Sequence, residues 1–281
     1  MSLQIKKRGR PSKKDIAERQ ASQPKPRSDK EILSELQERF HILSVLTKGA
    51  VHKNVRAVTI TGAPGVGKTY TVEQILEHAA DTMGVQYEVV KGAISAVNLY
   101  KLAYRMRKPG SVIVLDDADS IFNDEDALNI LKVLCDSSER RVVSWLKESA
   151  TLREDDVPQS FEFEGAMIFI SNLDFQRFVD EGKNKYAQHF EALMSRSLYL
   201  DLRLHSRNEL SVWIEHVANS GHIFKREGLT TAQGTAVLSF LSQYRESLRE
   251  LSLRTLLKTA QLVKTHDNWQ PMAKVLLLKN R

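Results

Sequence analysis

Eight residues in the first quarter of the chain have the types and order needed to hold a string of phosphates. Gly62-Ala63-Pro64-Gly65-Val66-Gly67-Lys68-Thr69 fits Gly-x4-Gly-Lys-[Ser/Thr]. The glycines let backbone N–H groups curl around an anion with no Cβ in the way. Lys68 has the reach for the terminal phosphates of a nucleoside triphosphate, and the Thr69 hydroxyl is a ligand for Mg²⁺. Tyr70 follows at the edge of the same turn and joins the candidate nucleotide contacts. About fifty residues on, Val112-Ile113-Val114-Leu115 runs into Asp116-Asp117. An apolar strand ending in two carboxylates offers Asp116 as a second metal ligand, through water, and Asp117 as a general base for an attacking water. The plainer alternative is a solvated acidic turn, since Asp119, Asp124 and Asp126 follow, but the glycine loop about fifty residues upstream favours the metal and base roles.

These groups meet only if the elements that carry them share one edge of a sheet. Ala57–Ile60 is expected to be a strand and Thr69–Ala80 a helix, which places the glycine loop between them. Short apolar runs at 87–90, 112–115, 167–170 and 198–202 alternate with helical stretches at 97–106 and 127–134, the pattern of a parallel sheet covered on both faces. Strand ends in such a sheet face one crevice, so Asp116 and Asp117 should approach the loop. An N-terminal helix is expected from Ser28 or Asp29 to Gly49, with Ile32, Leu33, Leu36, Phe40 and Leu43 at helical spacing. After His205 the strands stop, and 210–217, 232–244 and 253–263 read as amphipathic helices, with a last short one near Val275.

Composition narrows the class. Of 281 residues, 42% are hydrophobic and 27% charged, enough to bury a core. No apolar run is long enough for a membrane span, and the basic N-terminus lacks the apolar stretch of a secretory signal. One cysteine, Cys135, forbids an internal disulfide and fits a reducing compartment. The expectation is a soluble intracellular protein. Eight histidines show no His-Glu-x-x-His spacing and no Gly-x-Ser-x-Gly elbow occurs, which argues against a zinc protease or a serine hydrolase.

The net charge of +6 is unevenly placed. Residues 1–30 hold ten Lys/Arg and three Asp/Glu, so the remaining chain is close to neutral, at −1. Residues 1–27, with Pro11, Pro24 and Pro26 and few large apolar side chains, should not fold alone. Arg8-Gly9-Arg10-Pro11 inside this arm resembles an AT-hook, in which two arginines enter the negative minor groove of A·T-rich DNA. Arg8 and Arg10 are therefore candidate DNA contacts; general phosphate attraction and a functionless solvated tail are the alternatives.

With both phosphate-site motifs in this order, the chain resembles an AAA+ ATPase over about residues 31–270. The resemblance implies a P-loop αβα sandwich with a parallel five-stranded sheet over residues 28–205, followed by a small all-α lid over 206–281. ATP and Mg²⁺ are then the implied ligands. Ser171-Asn172, after the strand at 167–170, resembles sensor 1, which makes Asn172 the residue that positions water. Phe190-Glu191-Ala192-Leu193-Met194-Ser195-Arg196 resembles the element whose arginine enters a neighbouring subunit's site; Arg196 is the choice, with Arg203 and Arg207 as alternatives. Leu251–Leu256 resembles sensor 2, with Arg254 directed at the γ-phosphate or, on the plainer reading, a surface helix residue. One departure matters: the family's glutamate after the metal-binding aspartate is Asp117 here, and a base displaced by about 1 Å can cost on the order of 10²-fold in rate.

Between Asp136 and Met167 the chain is longer than a minimal fold needs. Residues 140–145 and 160–164 alternate in polarity as a strand and its return, and the insertion at about 140–166 resembles the presensor-1 β-hairpin. In DNA motors of that group the hairpin touches DNA in a central pore, so Lys147 and Arg153 become candidate contacts. Trp145 could stack there, though packing against a neighbour such as Phe163 is the favoured reading. The run from Gly92 to Asn172 also looks like ATPases of bacteriophage replication modules. The implied function is an oligomeric, ring-forming DNA-dependent ATPase, hexameric by analogy, acting in replication or recombination in the cytoplasm of a bacterial or phage-infected cell. A helicase- or clamp-loader-like switch and a MoxR-like chaperone that does not use DNA are the alternatives.

Overall fold

The computed structural model describes residues 27–279 apart from 183–186 and 221. Arg8 and Arg10 lie outside the described residues.

Five parallel strands form the central sheet in the order β2-β3-β6-β1-β7: β1 Ala57–Thr61, β2 Tyr87–Lys91, β3 Val112–Asp116, β6 Ala166–Ser171 and β7 Leu198–Asp201. The inner three, β1, β3 and β6, are buried along their whole length. Their continuous apolar runs follow from being covered on both faces. Alternation with period two splits each run. Ile113, Leu115, Met167 and Phe169 join one core with Leu99, Tyr100, Phe122 and Phe190. Val112, Val114, Ile168 and Ile170 join the other with Leu43, Val72 and Leu76. Fully burying each of these aliphatic side chains contributes about 1.5–3 kcal/mol, so both helical layers are anchored through the same strands.

The helices begin where local chemistry allows. The first, α1 Asp29–Val51, starts at Ser28, whose hydroxyl accepts from the Glu31 N–H while Glu31 returns to the Ser28 N–H, a capping box. Helix α2, Lys68–Met83, ends at Gly84 in the left-handed region. On the other face lie α3 Ala96–Arg105, a 3₁₀ turn at Asp119–Asn123 and α4 Glu125–Leu134. Two further helices there, α6 Phe175–Glu181 and α7 Ala187–Arg196, were not expected as complete elements.

The insertion is a hairpin. Strands β4 Val142–Ser144 and β5 Ser160–Glu162 pair antiparallel, Val143 opposite Phe161, with the short helix α5 Ala150–Glu154 between them. Val143 and Phe161 are buried, and Phe161 packs edge-on against Tyr100 at 5.0 Å and Tyr104 at 5.3 Å. The Tyr100 hydroxyl donates to the Pro158 carbonyl at 2.8 Å. The hairpin base is thereby laid on α3. Trp145 packs against Tyr100, ring centroids 5.9 Å apart, rather than against Phe163, over which the Arg141 guanidinium lies.

From residue 207 the structure is helical: α8 Arg207–Ser220, α9 Ile223–Arg226, α10 Thr231–Gln243, α11 Leu253–Thr265 and α12 Trp269–Leu277. Val237, Phe240, Leu256, Ala260 and Trp269 lie at the centre of their own core. Helix α8 joins this bundle to the sheet layer, where Trp213 stacks on Phe40 of α1 at 4.2 Å. Among the described residues no helix is long and apolar enough to cross a membrane.

Candidate functional site

The loop after β1 and the first turn of α2 form the floor of a cavity of about 510 Å³. Its backbone needs glycine. Gly65 and Gly67 have φ of 71° and 105°, in the region only glycine enters freely. A Cβ on Gly65 would also sit 2.8 Å from the Ser252 side chain. Gly67 is the N-cap of α2 and supplies no side-chain cap. The first-turn N–H groups therefore point at the cavity with only the helix dipole's positive end beside them, a ready anion site.

Lys68 is 5% exposed. Its ammonium donates to the Gly62 carbonyl at 2.7 Å, the Ala63 carbonyl at 3.0 Å and the Asn172 side-chain oxygen at 2.8 Å. All three donors of the ammonium are thus spent on neutral acceptors. Burial lowers its pKa to about 8, opposed by Asp117, Asp116 and Asp119 and reinforced by Arg254. A buried cation held by neutral groups at an uncapped helix start fits a polyphosphate.

Beside it the Thr69 hydroxyl donates to both oxygens of Asp116, at 3.0 and 3.1 Å. Burial pushes the Asp116 carboxyl up; the Thr69 hydrogen bond holds it down. This hydroxyl–carboxylate pair fits a hard cation that takes its other oxygens from phosphate and water. Among the described residues no cluster of three or more His, Cys, Asp or Glu side chains could hold a metal.

The next residue turns sharply. Asp117 has φ of 51°, a left-handed conformation that aspartate tolerates better than most residues. Its N–H donates to the Ile170 carbonyl at 3.0 Å, and its carboxylate accepts from the Asn172 amide nitrogen at 2.7 Å. Asn172 thereby bridges Lys68 and Asp117. One strand further along, Ser171, 1% exposed, donates to Asp119 at 2.7 Å and accepts from the Leu173 N–H at 3.0 Å.

The helical bundle closes the cavity from the opposite side. Leu253 at the start of α11 donates its N–H to the Gly65 carbonyl at 2.9 Å, which places Arg254 in the lining. Trp213 of α8 donates its indole N–H to the Val66 carbonyl at 2.9 Å. At the mouth the Arg226 guanidinium lies 5.4 Å from the Tyr70 ring centroid and donates to its hydroxyl.

Of the residues singled out from sequence, Gly65, Val66, Gly67, Lys68, Thr69, Tyr70, Asp116, Asp117, Asn172 and Arg254 come together around this one cavity. Gly62 and Ala63 contribute through their carbonyls, and Pro64 is exposed outside the lining. Arg196 is elsewhere. It ends α7 just before β7, and Val58 pairs with Leu198 while Thr61 pairs with Asp201. Arg196 therefore lies at the sheet edge where β1 begins, opposite the edge where the glycine loop follows. There it contacts Asp136 at 3.4 Å and the Ala192 carbonyl at 3.0 Å. The two alternatives are engaged within the chain: Arg203 with Asp201 and Asp174, Arg207 with the Arg245 and Leu248 carbonyls. Lys147 pairs with Asp126 at 2.7 Å, and Arg153 is exposed on α5. Phe40, Trp213 and Arg226 line the cavity without being revealed by the motifs.

Residues 58–158 match the profile of the ATPase family associated with various cellular activities (AAA). An uncharacterised 36.7 kDa protein from the nrdC–mobD intergenic region of Enterobacteria phage T4 is 36% identical over 247 residues, which is 88% of this chain and 75% of that protein. Among solved structures, the Aeropyrum pernix ORC1 protein in complex with DNA is 14% identical, over 85% of this chain and 64% of that one, with a TM-score of 0.48. Drosophila ORC bound to DNA is 17% identical over 88% and 69%, TM-score 0.45. C. elegans PCH-2 is 13% identical over 88% and 66%, TM-score 0.42.

Proposed function

The chain belongs to the AAA family of ATPases and is related to the phage T4 protein, and from that premise we propose that it is an oligomeric, DNA-dependent ATPase. The observation that carries this reading is the convergence of Lys68, Thr69, Asp116, Asp117, Asn172 and Arg254 on one cavity. The triphosphate of ATP displaces the carbonyls from Lys68 and takes up the free N–H groups of α2. Thr69 and Asp116 would hold Mg²⁺, which would supply charge neutralisation for the triphosphate. Asp117 accepts a proton from water as its oxygen bonds to the γ-phosphorus. The bond to the β-phosphate oxygen breaks and ADP leaves with that electron pair. Asn172 keeps Asp117 and the water in register, and Arg254 offsets charge at the γ-phosphate from the lid side. Arg196 serves a second copy's site, in a ring that we take to be hexameric.

DNA enters through the basic arm, with Arg8 and Arg10 against phosphates or in the minor groove, and through Lys147 and Arg153 of the hairpin insertion. The division into an arm at 1–27, a core at 28–205 and a lid at 206–281 belongs to the same reading, as does a place in the cytoplasm of a bacterial or phage-infected cell.

Asp117 favours a second reading. Its carboxylate is a methylene shorter than the family's glutamate and is already bound to Asn172. Slow hydrolysis would suit a loader that switches state with ATP. Steady-state hydrolysis with and without single- and double-stranded DNA separates the two, with Lys68→Ala as the blank. Stimulation of about tenfold, a barrier change near 1.4 kcal/mol, supports the DNA-dependent ATPase. A slow rate indifferent to DNA supports the loader or a protein-remodelling chaperone. Removing residues 1–27 should make the salt dependence of DNA binding shallower, because fewer phosphates are neutralised; an unchanged slope removes the arm from the DNA interface.

A further inference from the structure

Three hydrogen bonds lace the loop after β3 to the end of β6. The Asp117 N–H donates to the Ile170 carbonyl at 3.0 Å, the Ser171 hydroxyl to Asp119 at 2.7 Å, and the Asn172 amide to Asp117 at 2.7 Å. The first and last involve residues whose roles are already accounted for. The middle one does not, and its donor is buried, Ser171 being 1% exposed.

Ser171 has one hydroxyl and uses it twice. It donates to Asp119 and accepts from the Leu173 N–H at 3.0 Å, a turn in which a serine bonds the backbone two residues on. Asn172 is the residue enclosed by that turn. Its backbone is therefore fixed on both sides by one hydroxyl, whose direction is set by the Asp119 carboxylate. Asp119 is itself held: it opens the 3₁₀ turn Asp119–Asn123, whose Ile121 and Phe122 are buried. Phe122 packs edge-on against Phe190 at 4.9 Å. Asp119 does not line the cavity, so it has no direct access to the reacting atoms.

We propose that Asp119 is a positioning residue for hydrolysis, acting through the Ser171 hydroxyl to fix the Asn172 amide that joins Lys68 to Asp117. The inference rests on the ATPase reading above. It makes the third acid after β3 part of the machinery, connecting the strand end that holds metal and base to the strand end that holds the polar sensor.

The readout that separates positioning from general stability is a split between kcat and KM. Asp119→Ala leaves the Ser171 hydroxyl free to rotate, and misplacement near 1 Å lowers kcat about 10- to 100-fold. The Kd for ATP, set by the glycine loop and Lys68, should stay within about threefold, a change under roughly 0.7 kcal/mol. Asp119→Asn keeps an acceptor oxygen and should return kcat to within about threefold of wild type. Ser171→Ala, which removes one buried oxygen, should reproduce the loss, and it keeps the test open where Asp119→Ala fails to fold. The double variant should be no slower than either single one, because both break the same link. An unchanged kcat in Asp119→Ala and Ser171→Ala, equal losses in kcat and ATP affinity, no recovery in Asp119→Asn, or additive losses in the double variant each overturn the proposal. The wild-type rate tests the underlying reading separately: hydrolysis no faster than the Lys68→Ala blank removes the ATPase and the positioning role with it.

Discussion

Lys68 carries a conflict that nucleotide resolves. Its ammonium is buried among two carbonyls and an amide oxygen, and burial lowers its pKa to about 8 despite Asp117, Asp116 and Asp119 nearby, with Arg254 adding to the fall. An incoming triphosphate favours the charged form and raises that pKa again. Affinity for ATP should therefore weaken as pH rises above about 8, towards tenfold per unit when one proton is taken up on binding. The triphosphate does not itself cause the change, because a terminal phosphate with a pKa near 6 is already ionised there. The folded protein alone should respond with the opposite sign. The group's pKa is depressed from 10.5 to about 8, so the unfolded chain binds the extra proton and stability rises across that window. Titration calorimetry of ATP in EDTA at several pH values from 7 to about 9.5 measures the first effect without a metal. A flat affinity profile would show that Lys68 stays charged in the free protein.

At the scale of elements, the lid is attached to the phosphate loop itself. Leu253 and Trp213 bond the carbonyls of Gly65 and Val66, two adjacent residues of the turn that must receive phosphate. Trp213→Phe keeps the ring on Phe40 but leaves the Val66 carbonyl, in a residue 1% exposed, without its donor. An unsatisfied buried acceptor costs about 1–3 kcal/mol, shared between unfolding and nucleotide binding. ATP should bind about three- to tenfold more weakly, with a modest fall in melting temperature; unchanged affinity would show that the lid's grip on the loop is incidental. This coupling also marks the limit of what the sequence displays. The glycine loop, Asp116, Asp117 and Asn172 are legible because each motif is contiguous and lies at the end of an apolar strand. The inner strands are legible to within a residue for the same reason, and the long lid helices to within three residues at each end from their 3.6-residue period. Helices α6 and α9 were not marked out, because their seven and four residues span too few turns to show a period. Trp213 looked like one more apolar position on a helix; its role depends on α8 meeting α1, a contact between segments far apart in the chain. Trp145 was expected against Phe163, but the hairpin's packing on α3 gave it Tyr100 instead.

For the whole molecule the decisive residue is Arg196, because parallel strands give the sheet two unlike edges. The phosphate loop leaves β1 at one edge and Arg196 precedes β7 at the other, so the arginine cannot reach its own chain's cavity without dismantling the sheet. Asp136 and the Ala192 carbonyl tether its guanidinium, which is 35% exposed against 28% for Arg203 and Arg207, each likewise engaged within the chain. If Arg196 completes a site, the contact is head-to-tail between copies, the arrangement that closes into a ring. Arg196→Ala should then bind ATP normally yet hydrolyse it about 10³- to 10⁵-fold more slowly, the range for loss of an arginine supplied from a neighbour. Lys68→Ala should fail for the other reason, an inability to use nucleotide in its own cavity. Mixing the two inactive variants tests the geometry directly. At equal amounts, roughly a quarter of the interfaces in a randomly mixed ring join an intact phosphate loop from one copy to an intact Arg196 from the next, so hydrolysis should reappear at up to that fraction of the wild-type rate and vanish on dilution below the assembly concentration. A mixture as inactive as its components, under conditions where the copies exchange, would mean that Arg196 is a structural cation on the sheet's far edge and that the site completes itself within one chain.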